Sequence, residues 1–362
     1  MDSGGKKNLI MEYYRHIDRN KVQFDFICDS DSQAIPKEEI ESLGGKVYVI
    51  APYQSILKNM ADMERIFKEN KYPIVHAYNS TMNVFPMFVA KQCGVPVRIS
   101  ESLSMAHEGD WKTVLKKMLR PMSKCFANHY MSCGEDCGRW QFGNKLFNAG
   151  RVDVFKTAIN TEFNAYNPEI RRKTRKQFGW EDKIVVGHIG RFTIQKNSVH
   201  MIEIFGEVAK REPRALLCLI GDGELKEEMM NKIKELGIEN QVDYLGRRED
   251  IQQFYNAMDC FLLPSLYEGL PVVGLEAESC GLPMFFSTEI TREANACELG
   301  HFINLCESVD VWADEILKAC RENMPHRRSY AKEVAKAGFE STLEAIRMQN
   351  YYFDAIAREV ND

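Results

Sequence analysis

The sequence predicts an α/β protein with two doubly wound domains. Short apolar segments alternate with longer segments of helical period along almost the whole chain. The same alternation begins again near residue 184, which indicates a second series of strands and helices. The length of 362 residues is too great for one common hydrophobic core and suits two domains of about 150–200 residues each. Because strands that alternate with helices pair through right-handed crossovers, each series predicts one parallel sheet.

The first series contains five predicted strands separated by helical segments. The strands are predicted at 22–28, 46–50, 74–78, 95–100 and 129–132. The helices that accompany them are predicted at 8–16, 37–43, 56–69, 82–93, 113–124 and 135–142.

The second series contains six predicted strands and is followed by a mostly helical segment. The strands are predicted at 184–190, 216–221, 242–245, 260–264, 283–286 and 302–305. A polar stretch without periodicity, with Pro168 inside it, separates the two series and indicates a domain boundary. We therefore predict an N-terminal domain over 1–160 and a second domain over 161–338. A C-terminal helix over 339–362 is expected to pack back toward the first domain.

Composition and charge narrow the class of protein. The 47 Lys and Arg residues against 52 Asp and Glu residues give a net charge of −5, which argues against a nucleic-acid binder. No apolar run approaches the length of about 18 residues that a membrane span needs, and no signal peptide is expected. The eleven cysteines are odd in number and dispersed, which favours free thiols and a cytoplasmic location. His129, Cys133 and Cys137 are too few for a metal site, so no metal is predicted.

Residues that follow the strands are the first candidates for a site, because open parallel sheets bind ligands at the carboxyl ends of their strands. The strand 184–190 ends in Gly190 and is followed by Arg191 and Lys196, ahead of a helix. A guanidinium and an ammonium group in such a loop can neutralise phosphate oxygens. The alternative is a pair of solvated surface cations.

The segment after the strand 260–264 is the most informative. Its helix is predicted over 272–280, with Pro271 in the first helical turn. The exposed backbone N–H groups near Gly269, Leu270 and Val272 then form an anion site that the helix dipole strengthens.

Two glutamates accompany this helix. Glu268 stands just before it and Glu276 lies inside it, among closely packed neighbours where a carboxylate needs a partner. The two carboxylates can accept hydrogen bonds from a polyol. The alternative is a helix-terminus charge and a solvated helix residue.

The spacing of Glu268 and Glu276 resembles the signature of retaining family-4 glycosyltransferases of the GT-B fold. Other segments resemble the motifs of this family in the same order: Gly190-Arg191-Phe192 with Lys196, Gly221-Asp222-Gly223, Leu245-Gly246-Arg247 and 264–271. The resemblance covers nearly the whole chain and is closest to bacterial transferases of capsule and exopolysaccharide assembly. It implies two Rossmann-like domains that face each other across a cleft.

The resemblance also implies a role for each residue on the donor side. Arg191 and Lys196 would neutralise the diphosphate of a nucleotide-sugar, Glu268 would contact its sugar, and Glu276 would bind its ribose. The remaining donor-binding residues would act mainly through backbone groups along the phosphates and the nucleobase; they are Gly190, Gly246, Arg247, Gly269, Leu270 and Val272. The family needs no metal and no cofactor, and it retains the anomeric configuration without an enzyme nucleophile.

The N-terminal half departs from the family. Gly4 and Gly5 resemble its glycine-rich turn on the acceptor side, but no apolar strand precedes them. We therefore expect an N-terminal domain that lacks its first strand, and a truncated chain or a misplaced start is a hypothesis. His107 is a candidate for the reaction centre, with a solvated loop histidine as the alternative. Glu101 competes with it, because Glu101 lies closer to a strand end.

The segment 112–124 carries five cations on a predicted amphipathic helix. It predicts contact with an anionic membrane surface, where a lipid-linked acceptor would lie; the alternative is a solvated helix face. Together these features predict a retaining, metal-independent glycosyltransferase, cytoplasmic or peripheral on the inner face of the plasma membrane. It would move a sugar from a nucleoside-diphosphate-sugar to a glycan acceptor. A nucleotide-sugar epimerase and an inactive, truncated binding protein remain as alternatives.

Overall fold

The computed structural model describes residues 5–32, 35–103, 112–323 and 326–361. The chain divides into two compact units. Unit 1 comprises Met1–Ala158 and Ser341–Asp362, and unit 2 comprises Ile159–Glu340. The boundaries expected from the sequence were 160/161 and 338/339.

The described strands of unit 1 all pair in parallel. They are β1 (Phe26–Asp29), β2 (Val47–Ile50), β3 (Ile74–Ala77), β4 (Val97–Ser102), β5 (His129–Ser132) and β6 (Val152–Val154). They form two separate sheets, with the orders β1-β2 and β3-β4-β5-β6. The sequence-based prediction omits β6, because three residues are too few to show an alternating pattern.

The helices of unit 1 lie between these strands and at the end of the chain. They are α1 (Gly5–His16), α2 (Lys37–Ser42), α3 (Ile56–Asn70), α4 (Val84–Gln92), α5 (Lys112–Leu119), α6 (Glu135–Phe142), α7 (Asn144–Asn148) and a C-terminal helix (Ser341–Asn361). The C-terminal helix packs against α1, and its Met348 and Tyr352 are buried. The helix predicted over 113–124 ends earlier, at Leu119, because Pro121 cannot continue it.

A cavity of about 720 Å³ lies between the two sheets of unit 1. It is lined by Phe26 and Ile27 of β1 and by Ile74 and Val75 of β3, among others. Within the described part of unit 1, β1 pairs only with β2, and β3 pairs only with β4. In doubly wound sheets the first strand lies at this place in the order. Among the described residues, the cavity therefore lies between β1 and β3, where a doubly wound sheet has room for one strand.

The described strands of unit 2 form one continuous parallel sheet. The strands are β7 (Ile184–Ile189), β8 (Ala215–Ile220), β9 (Val242–Tyr244), β10 (Cys260–Leu263), β11 (Met284–Ser287) and β12 (Gly300–Ile303). Their order is β12-β11-β10-β7-β8-β9. This is the doubly wound order, and it reverses direction between β7 and β10.

Helices cover both faces of this sheet. They are α8 (Pro168–Phe178), α9 (Ser198–Arg211), α10 (Lys226–Glu235), α11 (Ile251–Ala257), α12 (Val272–Ser279), α13 (Val309–Asn323) and α14 (Ala331–Val334). Successive residues of β7 alternate between the two cores: Val186 packs with α9 and α13, and Val185 packs with α11 and α12. Burial of both faces explains the continuous apolar strands of the sequence.

An ionic cluster holds the amino end of the unit 2 sheet together. Asp259 precedes β10 and is buried, and its carboxylate forms ion pairs with Arg171 and Arg175 of α8. The same carboxylate accepts a hydrogen bond from the backbone N–H of Val185 at 2.8 Å. The cluster thus ties α8 to two strands of the sheet.

The helices and the cysteines bear on the predictions of no membrane span and of free thiols. None of the described helices is long and apolar enough to cross a membrane. All eleven cysteines are free thiols, and six of them are buried.

Candidate functional site

The loops after β7, β8 and β9 lie side by side at the carboxyl edge of the unit 2 sheet. The N–H of Gly190 donates to the carbonyl of Ile220 at 3.0 Å, and the N–H of Gly221 donates to the carbonyl of Gly246 at 2.9 Å. Gly221 has a φ of +142°, and a Cβ there would stand 1.8 Å from the carbonyl oxygen of Gly190. Only glycine fits this approach. The three loops therefore form one continuous rim.

An ion pair joins the loops after β7 and β10. The Nζ of Lys196 lies 2.6 Å from Oε1 of Glu268, and the two side chains are 16% and 9% exposed. Ser265 Oγ donates to Oε1 of Glu268 at 2.8 Å, and the N–H of Leu266 donates to the carbonyl of Gln195 at 2.8 Å. These contacts lie at the switch point of the sheet, where ligands of doubly wound folds bind. Lys196 and Glu268, 72 residues apart in sequence, thus meet at one point.

Glu276 lies inside α12 and contacts a tyrosine of α11. The hydroxyl of Tyr255 donates to Oε2 of Glu276 at 2.7 Å. Burial raises the pKa of Tyr255 well above its ordinary value, and the nearby Glu276 carboxylate raises it further. Tyr255 therefore stays protonated and holds the carboxylate in place. The sequence predicted that Glu276 needs a partner, but it did not identify Tyr255.

The start of α12 differs slightly from the prediction. Pro271 stands at the N-cap with φ −73° and ψ 104°, one position before the first helical residue, Val272. The first N–H groups of a helix have no partner within the helix, so those at the start of α12 can face an anion. Gly269 is exposed and Leu270 half-buried on the approach to this end.

The two arginines predicted for the site are both exposed. Arg191 follows Gly190 in the loop after β7, and Arg247 follows Gly246 in the loop after β9. The guanidinium of Arg247 lies 3.8 Å from the Asp222 carboxylate. Both side chains lie on the solvent side of the rim, where a ligand can displace water from them.

His188 is a polar residue of this region that the sequence analysis did not single out. It is buried inside β7, and its Nδ1 lies 2.9 Å from the carbonyl oxygen of Leu262 in β10. The signal in the sequence is a single imidazole in the otherwise apolar strand Ile184–Ile189.

The acceptor-side candidates of unit 1 are placed less favourably for contact with a ligand. Glu101 is fully buried in β4, and its Oε2 lies 3.0 Å from Nε2 of His76. The hydroxyls of Tyr78 and Tyr352 lie 3.0 and 2.9 Å from Nδ1 of the same histidine. Glu101 is thus part of a closed polar cluster. His107 and Gly4 lie outside the described residues, and Gly5 begins α1.

The basic segment of unit 1 exposes apolar side chains as well as cations. Val114 and Met118 of α5 are 65% and 70% exposed, and Met122 in the following turn is 44% exposed. Lys117 and Arg120 are exposed beside them. A spacing of four residues places Val114 and Met118 on one side of α5, and Met122 lies in the turn that follows.

Within the described ranges, no group of three or more His, Cys, Asp or Glu side chains is placed to hold a metal ion. The charged groups of this region are instead Lys196, the exposed arginines and the carboxylates of Asp222, Glu268 and Glu276. This set suits an anionic ligand that also carries hydroxyl groups.

Comparison with known proteins identifies the family. The model of the group 1 glycosyl transferases matches residues 170–337. The Bacillus subtilis (strain 168) protein EpsF, named as a glycosyltransferase, is 31% identical over 360 residues, which cover 97% of this chain and 94% of that protein. The chain therefore belongs to the group 1 glycosyl transferases.

Two further relatives extend this result. The Escherichia coli UDP-Gal:alpha-D-GlcNAc-diphosphoundecaprenol alpha-1,3-galactosyltransferase is 26% identical over 321 residues, 84% of this chain and 81% of that protein. The crystal structure of Anabaena HepE in complex with UDP and glucose superposes with a TM-score of 0.77 at 20% identity, over 98% of this chain and 97% of that one. The fold is that of the GT-B glycosyltransferases.

Proposed function

We propose that this protein is a retaining, metal-independent family-4 glycosyltransferase of capsular or exopolysaccharide synthesis. It moves a sugar from a nucleoside-diphosphate-sugar to a glycan acceptor carried on a lipid. The observation that carries the proposal is the meeting of Lys196 and Glu268 at the switch point of unit 2, with Glu276 on the next helix. The name of the Escherichia coli relative, which states a nucleotide-sugar donor and a lipid-linked acceptor, supports the substrate classes.

Lys196 and Arg191 neutralise the diphosphate in this proposal. Lys196 is held in the rim by its ion pair with Glu268, and Arg191 is exposed beside it. The start of α12, at Val272, supplies N–H groups and the positive end of a helix dipole to the distal phosphate. These groups stabilise the charge that develops on the leaving phosphate, which is the task that a metal ion performs in other transferases.

The two glutamates bind the hydroxyl groups of the donor. Glu276, oriented by Tyr255, accepts hydrogen bonds from the ribose. Glu268 accepts hydrogen bonds from the transferred sugar, and its Oε2 bears only a weak contact at 3.4 Å from Gln195. Backbone groups of Gly246 and Arg247 lie beside the nucleobase, and those of Gly190, Gly269 and Leu270 lie along the phosphates.

Transfer occurs on one face of the sugar. The bond between the anomeric carbon and the phosphate oxygen breaks, and the acceptor hydroxyl forms its bond to that carbon on the same side. The departing phosphate oxygen takes the proton of the acceptor hydroxyl. No enzyme nucleophile is needed, and the lowered barrier derives from charge stabilisation and positioning.

The exposed face of α5 supports a membrane contact for the acceptor. Val114 and Met118 can enter the boundary between headgroups and acyl chains, while Lys117 and Arg120 meet anionic lipid. The protein is then peripheral on the inner face of the plasma membrane. Replacing Val114 and Met118 by serine is expected to weaken sedimentation with vesicles of phosphatidylglycerol, and Leu343→Ser is the exposed control. Equal binding of the parent to neutral and anionic vesicles would contradict the membrane contact.

Nucleotide binding tests the donor site. Glu276→Ala is expected to lower the affinity for UDP about tenfold, because hydrogen bonds to a charged group contribute roughly 1.5–3 kcal/mol. Calorimetry with UDP, GDP and ADP measures the effect and identifies the base. Glu181→Ala, an exposed carboxylate before β7 at the opposite end of the sheet, is the control. Unchanged affinity of the Glu276 variant would contradict its assignment, and conversion of a donor without any acceptor would indicate an epimerase.

A further inference from the structure

The buried imidazole of His188 is held in one tautomer. Its Nδ1 lies 2.9 Å from the carbonyl oxygen of Leu262, and a carbonyl oxygen can only accept a hydrogen bond. Nδ1 therefore carries the hydrogen. The ring also stacks on Phe261, with centroids 6.4 Å apart and planes at 8°, which fixes its orientation.

The other ring nitrogen of His188, Nε2, is able to accept a hydrogen bond. Burial lowers the pKa of His188 to about 4, against the opposing effect of the Leu262 carbonyl, and the positive charge of Lys196 lowers it further. The ring is then neutral at pH 7, and Nε2 carries a lone pair. Nε2 is buried and has no hydrogen-bond partner among the described residues. A buried acceptor without a partner requires an explanation, because such atoms are rare in native proteins.

The position of Gly190 shows where Nε2 points. A Cβ built on Gly190 would stand 3.3 Å from Nε2 of His188 and 3.7 Å from Cε of Lys196. The imidazole and the end of the lysine side chain thus approach the same small space, and the missing side chain of Gly190 keeps it open. In this structure the Lys196 ammonium is directed to Glu268 instead, at 2.6 Å.

We propose that His188 is a positioning residue for Lys196. When a donor binds, the Glu268 carboxylate turns to the sugar hydroxyls, and Nε2 of His188 accepts a hydrogen bond from the Lys196 ammonium. The lysine has three donors, so it can bond to His188 and to phosphate oxygens at the same time. This inference rests on the proposed donor site and adds a residue to it.

A neutral ring is essential to this role. A protonated imidazole would offer no lone pair and would repel the ammonium. Burial of His188 within the sheet, beside β10, keeps the ring uncharged. The position of His188 in the strand therefore keeps Nε2 able to accept a hydrogen bond from Lys196. Aliphatic residues would fill the same space but would leave the ammonium without an acceptor.

Two substitutions separate the roles of the two ring nitrogens. His188→Asn places an amide N–H near the position of Nδ1 and keeps the donor to Leu262, but it removes the acceptor at Nε2. His188→Gln places an amide oxygen near the position of Nε2 and keeps that acceptor. The binding of UDP is compared with the binding of uridine by calorimetry, since only UDP carries the phosphates that Lys196 would contact.

The expected result is specific to the phosphates. His188→Asn should lower the affinity for UDP about tenfold and the affinity for uridine by less than about twofold, whereas His188→Gln should stay within about threefold of the parent for both ligands. Phe261→Leu, which alters packing against the ring without changing its nitrogens, is the control. Equal losses for UDP and uridine, or equal behaviour of the Asn and Gln variants, would overturn the proposal.

A second variant covers the case in which His188→Asn does not fold. Gly190→Ala puts a methyl group about 3.3 Å from Nε2 of His188 and 3.7 Å from Cε of Lys196 without changing either side chain chemically. It should lower UDP affinity selectively, and an unchanged affinity would overturn the proposal. A parent protein that binds none of UDP, GDP or ADP would overturn the proposed donor site itself. Equal binding of UDP by the parent and the variant would instead overturn only the proposed role of His188.

Discussion

The two ends of the unit 2 sheet use the same kinds of charged residue in opposite ways. At the amino end, both oxygens of the Asp259 carboxylate are engaged by Arg171, Arg175 and the N–H of Val185. At the carboxyl end, the pair of Lys196 and Glu268 remains partly exposed and keeps free bonding capacity. In a structural cluster, every oxygen of the carboxylate already has a protein partner, whereas a binding site keeps oxygens or N–H groups that a ligand can contact. The presence of charges alone does not separate the two.

The largest expected effect is the loss of the amino-end cluster. Asp259→Ala leaves the largely buried Arg175 and the less buried Arg171 without their carboxylate. Removal of one partner from a buried ion pair costs about 3–5 kcal/mol, so the free energy of unfolding should fall by that amount. Urea unfolding measures the change.

Asp314→Ala is the matched control for this change. Asp314 also pairs with an arginine, Arg211, but its side chain is 74% exposed. An exposed pair contributes about 0–1 kcal/mol, so this variant should unfold close to the parent. If the free energy of unfolding fell by a similar amount in both variants, the buried Asp259 cluster would be no more important for stability than an exposed ion pair.

The second-largest expected effect is on sugar transfer, through Lys196 at the carboxyl end of the unit 2 sheet. Lys196→Ala should lower the rate of sugar transfer about 10²–10³-fold, because it removes a charge that stabilises the leaving phosphate. Its free energy of unfolding should fall by less than that of Asp259→Ala, because Glu268 is 9% exposed and keeps the hydrogen bond from Ser265. Transfer is measured with the donor identified by calorimetry.

Lys210→Ala serves as the control for this lysine, since Lys210 is an exposed lysine of α9 that also pairs with a glutamate. It should leave transfer unchanged. A Lys196 variant that transfers at the parental rate, or that unfolds as readily as Asp259→Ala, would make the two ends of the sheet equivalent.

The smallest expected effect is a dependence of stability on pH through Glu278. This residue of α12 is buried, and its oxygens accept hydrogen bonds from the N–H groups of Ala296 and Cys297 at 3.0 and 2.6 Å. Burial raises its pKa to about 7, against these hydrogen bonds. The folded protein therefore holds a proton that the unfolded chain releases at a pKa near 4.5. The resulting stabilisation is complete below that value and is lost as pH rises through 7.

Urea unfolding between pH 5 and 8 measures this effect against Glu278→Gln, which cannot titrate. The difference in free energy of unfolding between parent and variant should shift by at most about 1.4 kcal/mol per pH unit between pH 5 and 7, in favour of the variant. A difference that stays constant with pH would show that Glu278 does not titrate in this range.

The sequence predicted where the donor-side candidates lie in the fold, because these residues follow the strands. Gly190, Lys196 and Glu268 all lie just beyond apolar strands that are easy to recognise, and strand order brings their loops to one edge. His188 could not be found this way, because its proposed role depends on which ring nitrogen is bonded inside the sheet. The burial of Glu101 was equally hidden, since its partner His76 comes from the neighbouring strand.

Other differences have local causes. The three residues of β6 carry too little pattern to mark a strand, and Tyr255 lies 21 positions from the carboxylate that it holds. Pairings between distant residues of this kind depend on the packing of α11 against α12 within unit 2. Such side-chain pairings cannot be identified from a single sequence.

The facing edges of β1 and β3 in unit 1 have no strand between them among the described residues. A strand edge carries a row of N–H and C=O groups that can pair with an added strand. Both edges line the same cavity. A single added strand would therefore find hydrogen-bond partners on both of its sides there, whereas each end strand of the unit 2 sheet offers only one such edge.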